Sequence, residues 1–164
     1  MCIRDSAHLA QARTLARASL ADARRSVWEL RPHALTHQPL AAAIANEVKK
    51  MTDGTSLTAT FTLNGTPRPL PADIEDHLLR IAQEATTNVL RHAQAHRLAV
   101  TLTFNTASIC VCVEDDGHGT EVNSNGEKGF GLISMQERTD RMGGHLTLNS
   151  RPGYGTTVRV EVPL

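Results

Sequence analysis

Aromatic residues are scarce, only 3% of 164 residues, so the interior must be built from Leu, Val, Ile and Ala and not from stacked rings. Net charge is lacking too. Seventeen Lys and Arg stand against seventeen Asp and Glu, which speaks against a general nucleic-acid binder or a protein held to anionic membranes. No apolar run nears the roughly 20 residues that span a bilayer, and the first residues carry no signal-peptide pattern. A soluble chain without a membrane segment is therefore expected. The three cysteines are odd in number, and Cys110 and Cys112 share one apolar run. That excludes a disulfide framework and points to a reducing compartment such as the cytoplasm, with both thiols expected in the core. What is present is ample material for folding. Apolar residues make up 40% and charged residues 21%, enough for one domain, or one domain with an appendage.

The first six residues, Met-Cys-Ile-Arg-Asp-Ser, share no pattern with the rest and resemble translated sequencing-adapter sequence. Residues 1–6 are therefore read as a non-native start on a chain whose true beginning lies upstream. From Ala7 to Arg31 there is no Gly or Pro, and Ala, Leu and Arg dominate, which predicts one long helix over 7–31. Leu20, Ala23, Val27 and Leu30 form a seam with coiled-coil spacing along it. Pro32 ends this helix, and the proline-bearing stretch 32–38 reads as a hinge. A domain over 39–164 follows. It is expected to contain a helix from Pro39 to Met51, a strand from Ser56 to Leu63, a helix from Asp73 to Gln94, and strands at Arg97–Phe104 and Ser108–Glu114. A polar loop, a helix ending near Met142, and strands at His145–Ser150 and Thr156–Val162 complete it. Strands and helices do not alternate as βαβ units, so the fold class is α+β: a mixed β-sheet covered on one face by helices.

Three stretches carry residues suited to chemistry. On the helix expected at 73–94, Glu84, Asn88 and His92 fall at i, i+4 and i+8 beside an apolar face of Ile74, Leu78, Ile81, Ala82, Ala85 and Val89. Alone, such a stripe is an ordinary solvated edge. Glu114-Asp115-Asp116-Gly117-His118-Gly119 directly follows an apolar strand. An Asp at a strand end can accept a hydrogen bond from an exocyclic amine, and glycines let a flat ligand approach the backbone. A calcium loop would need alternating oxygen ligands and a terminal Glu, which this stretch lacks. Gly126-x-x-Gly129-x-Gly131 then precedes a helix, where N–H groups favour phosphate. It has no Gly-Lys-Ser/Thr, so it is not a Walker A loop, and no βαβ context, so it is not a dinucleotide fingerprint. The histidine pairs His33/His37 and His92/His96 have helical i, i+4 spacing. The first lies between prolines and the second lacks a zinc-protease Glu, so neither is read as a metal site.

Taken in order, these stretches resemble the GHKL ATPase domain and, within it, the sensor histidine kinases of two-component systems. Arg80 to Ala93 (Arg-Ile-Ala-Gln-Glu-Ala-Thr-Thr-Asn-Val-Leu-Arg-His-Ala) is similar to the N box, Asp115 to Gly119 to the G1 box, and Gly129-Phe130-Gly131-Leu132 to the G2 box. Gly129 to Gly144, with Met135, Glu137 and Arg138, resembles the nitrate-sensor and thermosensor subfamily, and Gly155 to Pro163 its terminal strand. Ala18 to Pro32, with Arg24-Arg25 and Leu30-Arg31-Pro32, is similar to that subfamily's second dimerisation helix.

The resemblance implies an α/β sandwich that binds ATP and Mg²⁺, preceded by one long helix of a dimerisation hairpin. It implies that Asn88 holds Mg²⁺, that Glu84 orients water or the ion, and that Arg91 and His92 lie near the phosphates. Asp115 would accept from the adenine amine with support from Thr156. Gly117, Gly119, Gly129 and Gly131 would bound a short ATP lid, with Leu132 among the ATP-binding positions. Partners implied are a response regulator and a second copy of the chain, through the hairpin. No nucleic acid is implied, and the setting is cytoplasmic, with an anchor possible only upstream. The sequence departs from the family at one point: the helix bearing the phosphoacceptor histidine is missing, and His8 has no adjacent acid. The fragment alone is therefore expected not to phosphorylate itself. Two alternatives stay open at this point: an anti-sigma-factor-type serine kinase, which has no need of the 7–31 helix, and a non-catalytic nucleotide-dependent interaction module.

Overall fold

The computed structural model describes residues 38–119 and 129–164. Residues 1–6, the helix expected at 7–31, the expected hinge up to residue 37 and the part of the expected polar loop at 120–128 lie outside the described residues. Helix α1 spans Leu40–Thr52, opening directly after Pro39. Leu40, Ala43, Ile44 and Val48 recur at helical spacing and are buried, while Lys49 and Lys50 occupy the last turn, where the helix dipole favours cations. Strand β1 (Thr58–Asn64) follows, then α2 (Ala72–Asn88) after Pro71, with Asp73 and Glu75 in its first turn.

The helix expected to run to Gln94 does not stay α-helical. It widens into a π turn over Val89–Ala93, and Gln94 then leaves it with a left-handed φ of 50°. Strands β2 (Arg97–Phe104) and β3 (Ser108–Asp115), helix α3 (Phe130–Arg141), and strands β4 (His145–Ser150) and β5 (Thr156–Pro163) complete the described chain.

The strands form one sheet in the order β1-β2-β3-β5-β4. Strands β1 and β2 are parallel, joined across the sheet by α2, and every other pair is antiparallel. Alternation along the strands sends Leu98, Val100 and Leu102, Ile109, Val111 and Val113, and Val158, Val160 and Val162 to one face. That face packs on Ile44, Leu78, Ile81 and Ala85 of α1 and α2 and on Met135 of α3, giving a single aliphatic core. The fold is thus the expected mixed sheet with helices on one face.

The cysteines correct an expectation. Cys110 and Cys112 point away from this core, on the other face of β3, opposite Glu161 and Arg159 of β5. Cys110 is nevertheless buried, and Cys112 is half-buried. Burial pushes both thiols up from their ordinary range, which leaves them poor nucleophiles.

Candidate functional site

Between the sheet and the helices lies a cavity of about 340 Å³. Strand β3 contributes Val113 and Asp115, β4 contributes Leu148 and Ser150, and β5 contributes Thr156 and Val158. The opposite wall is Ala85 and Asn88 of α2, then Val89, His92 and Ala93 of the π turn, closed by Leu132 and Met135 of α3. Its size falls within the usual span for small-molecule sites, roughly 300–1,000 Å³, and so does its character: apolar walls with few polar groups.

Asp115 supplies the one buried carboxylate among the described residues, at 6% exposure. The last residue of β3, it accepts the Gly117 N–H at 2.8 Å. Burial pushes its carboxyl above the ordinary range, opposed by the amides of Gly117 and Thr156. Thr156 lies directly opposite Asp115 in the β3–β5 ladder. Its hydroxyl shares a hydrogen bond of 2.8 Å with that of Ser150. This register depends on Gly155, whose φ is +78° and where a Cβ would run into the Asp115 carbonyl oxygen.

The loop after Asp115 is stitched to two other elements. The His118 N–H donates to the Ala93 carbonyl at 2.9 Å, and the His118 carbonyl accepts from the Gly153 N–H at 2.6 Å. Ala93 ends the helix, so its carbonyl has no intrahelical donor and is free to accept. A Cβ on Gly117 would run into that same carbonyl, which is why a glycine stands there.

Among the residues singled out from the sequence, Asn88, His92, Asp115, Gly119, Leu132 and Thr156 border this cavity. Glu84, Arg91, Gly117, Gly129 and Gly131 do not border it. Arg91 and Gly129 are exposed. Glu84 lies one turn before Asn88 and touches the start of α3: a Cβ on Gly131 would run into Glu84 Oε1 and come within 3.4 Å of Asn88 Nδ2. The absence of a side chain at Gly131 therefore lets α3 sit against the Glu84–Asn88 stripe. Sequence reasoning missed Ser150 and Leu148, which enter through pairing with Thr156 and Val158. It also missed His118 as a wall residue, although the motif containing it was in view.

The donor set fits an adenine nucleotide. A flat ring that is apolar on both faces suits walls of Ala85, Val89, Val113, Leu132 and Leu148, and one exocyclic amine suits a single carboxylate acceptor. His92, exposed, and Asn88, half-buried, border the cavity from the helical side and add polar groups there.

Residues 73–164 match the family described as histidine kinase-, DNA gyrase B-, and HSP90-like ATPase. The signal transduction histidine-protein kinase/phosphatase DegS of Brevibacillus brevis is 30% identical over 152 residues, covering 93% of this chain and 39% of that protein. The sensor histidine kinase LnrJ of Bacillus subtilis is 33% identical over 155 residues, covering 92% of this chain and 36% of that protein. The chain thus spans less than two-fifths of the length of these relatives. In fold it is similar to the histidine kinase domain of a blue-light activated histidine kinase of Erythrobacter litoralis. That likeness has a TM-score of 0.62 at 24% identity and covers 77% of this chain and 61% of the other. The chain belongs to the histidine kinase-, DNA gyrase B- and HSP90-like ATPase family, and its ATP-binding domain is of the histidine kinase type.

Proposed function

We propose that the cavity takes ATP as substrate, adenine innermost, and presents the γ-phosphoryl to a histidine on a partner helix, from which a response regulator receives it. The observation that carries this reading is the buried Asp115 carboxylate in a largely apolar slot. In this reading Asp115 accepts from the adenine amine, Thr156 holds Asp115 in place, and Gly117 and Gly119 keep side chains out of the ring's path. Arg91 and His92 face the phosphates, and Gly129, Gly131 and Leu132 open α3, whose N-terminal amides favour phosphate oxygens. Asn88 and, one turn earlier, Glu84 would hold Mg²⁺, a hard ion that takes oxygen ligands and neutralises phosphate charge when bound. In the transfer, an imidazole nitrogen of the acceptor bonds to the γ-phosphorus while the bond to the β–γ bridging oxygen breaks and ADP leaves. The protein's part is positioning, so no nucleophile of its own is needed.

In the same reading, residues 39–164 are the ATP-binding catalytic domain, 32–38 the hinge, and 7–31 the second helix of a hairpin through which two copies pair. The setting is the cytoplasm. No helix among the described residues is long and apolar enough to cross a membrane.

ATP titration of the chain with and without Mg²⁺, repeated on Asn88→Leu, tests the site. Leucine has nearly the shape of asparagine, so the ligand-free variant should melt at the same temperature or higher, since an amide awaiting a ligand is a cost. The Mg²⁺-dependent part of the ATP affinity should vanish while Mg²⁺-independent binding persists. An unfolded variant, or intact Mg²⁺ dependence, would make Asn88 a structural amide and move the site elsewhere.

A further inference from the structure

The two adjacent acids at the end of β3 face different tasks, and Asp116 is the one that the nucleotide-binding reading leaves unused. Its Oδ1 accepts the backbone N–H of His96 and that of Arg97, both at 2.8 Å. Its own N–H donates to the Arg97 carbonyl at 3.3 Å. The Arg97 amide, and after it the His96 amide, hold the Asp116 carboxyl below its ordinary range, so it stays an ionised, double acceptor.

The place of this clasp matters. His96 and Arg97 lie where the chain leaves the π turn through the left-handed Gln94 and enters β2. A non-glycine residue at positive φ is a conformation that needs outside support. One side of the clasp is therefore the end of the helical wall, which carries Asn88 and His92. The other side is the end of β3, which carries Asp115. Among the described residues, these two parts are also joined at this point by the β2–β3 ladder, with Leu98 opposite Asp115, and by the His118 N–H on the Ala93 carbonyl.

Resting on the ATP reading of the cavity, we propose that Asp116 is a positioning residue. By clasping the His96 and Arg97 amides it sets the spacing between the base-reading Asp115 and the helical wall that meets the phosphates. ATP joins base and triphosphate covalently, so it feels that spacing, whereas a fragment that occupies only one half does not.

The test compares ATP, adenosine and inorganic triphosphate on the full chain and on Asp116→Ala, with thermal melting alongside. We expect Asp116→Ala to lower ATP affinity about tenfold or more while each fragment shifts less than about twofold. Asp116→Asn, whose amide oxygen accepts the same two N–H groups, should restore ATP affinity. A general loosening of a still-folded chain would weaken all three ligands together, and a direct contact with the base would weaken adenosine as much as ATP; either result overturns the proposal. So does unchanged ATP affinity in Asp116→Ala, or failure of Asp116→Asn to rescue. Should Asp116→Ala not fold, Asp116→Ser, with one short acceptor, enters the same three-way comparison. If the unaltered chain binds no ATP, it is the nucleotide reading of the cavity that falls.

Discussion

At the scale of single residues, Asp115, the proposed acceptor for the adenine amine, is a carboxylate buried at a cost in stability. Because burial raises its carboxyl pKa, the folded chain holds this proton more tightly than the unfolded chain does. As pH rises, the unfolded chain ionises first, near the ordinary value of 3.8. The stability attached to Asp115 is thus complete below that pH and is lost as pH rises through the folded value. Asp115→Asn removes the slope, because an amide does not titrate, and its oxygen still accepts the Gly117 N–H. The expected outcome is a melting temperature at neutral pH equal to or above that of the unaltered chain. ATP affinity should fall by roughly 1–3 kcal/mol, since an N–H₂ would then face the adenine amine donor to donor. Binding of inorganic triphosphate should be unaffected. Calorimetric titration with both ligands checks this, and equal losses would put Asp115 outside the base site.

At the scale of elements, two glycines just outside the cavity give opposite expectations for the same substitution. A Cβ at Gly117 would run into the Ala93 carbonyl oxygen and reach the Ala93 carbonyl carbon at 2.8 Å. Backbone cannot give way without breaking the His118–Ala93 hydrogen bond, so Gly117→Ala should cost about 1–3 kcal/mol of stability by denaturant unfolding. At Gly131 the first atom met is the end of the Glu84 side chain, which can rotate aside. Gly131→Ala should leave stability level or raise it by up to about 1 kcal/mol, because alanine favours the helix. Its effect should appear in Mg-ATP binding, through the displaced Glu84.

The contact between α2 and α3 should itself respond to pH. Arg138 of α3 approaches Nδ1 of the half-buried His77 of α2 at 3.4 Å. Burial first, and Arg138 second, push His77 below its ordinary value of 6.5. The unfolded chain therefore takes up this proton before the folded chain as pH falls. His77's share of the stability is complete above 6.5 and declines as pH drops from there toward the lowered folded value. Asp73 and Asp76 on α2 oppose the shift and Arg141 on α3 reinforces it. His77→Gln should flatten the difference between denaturation curves taken at weakly acidic and neutral pH; an undiminished difference would assign the effect to another group.

At the scale of the whole molecule, binding and transfer should separate. In the proposed reading the cavity takes ATP, and the acceptor is a histidine on a partner helix. Incubated with ATP labelled at the γ-position, the chain should bind nucleotide yet gain no acid-labile phosphate, and a supplied helix bearing the acceptor should gain it. Acid-labile label on the chain itself would reveal an acceptor among its own histidines.

Periodicity and punctuation sufficed for most of the elements. The apolar alternation of Arg97–Phe104 marks β2 at its observed bounds, and Pro39 marks the start of α1, because these signals are local. The residue types around the candidate site were also legible: an Asp closing an apolar strand, glycines after it, and an Asn one turn from a Glu. Four things were decided only by tertiary structure. Alternation says that Cys110 and Cys112 share a face, but which face the helices cover depends on the whole sheet. The pattern from Arg80 to Ala93 continues as an α-helix on paper, and the π turn ends where the Ala93 carbonyl meets His118, a partner 25 residues on. Ser150 and Leu148 join the cavity through pairing with β5, and Asp116 clasps amides 19 and 20 residues back in the chain. Neighbouring residues determine how the chain starts and stops its elements; contacts between residues distant in sequence determine which side chains meet, and no local pattern encodes those.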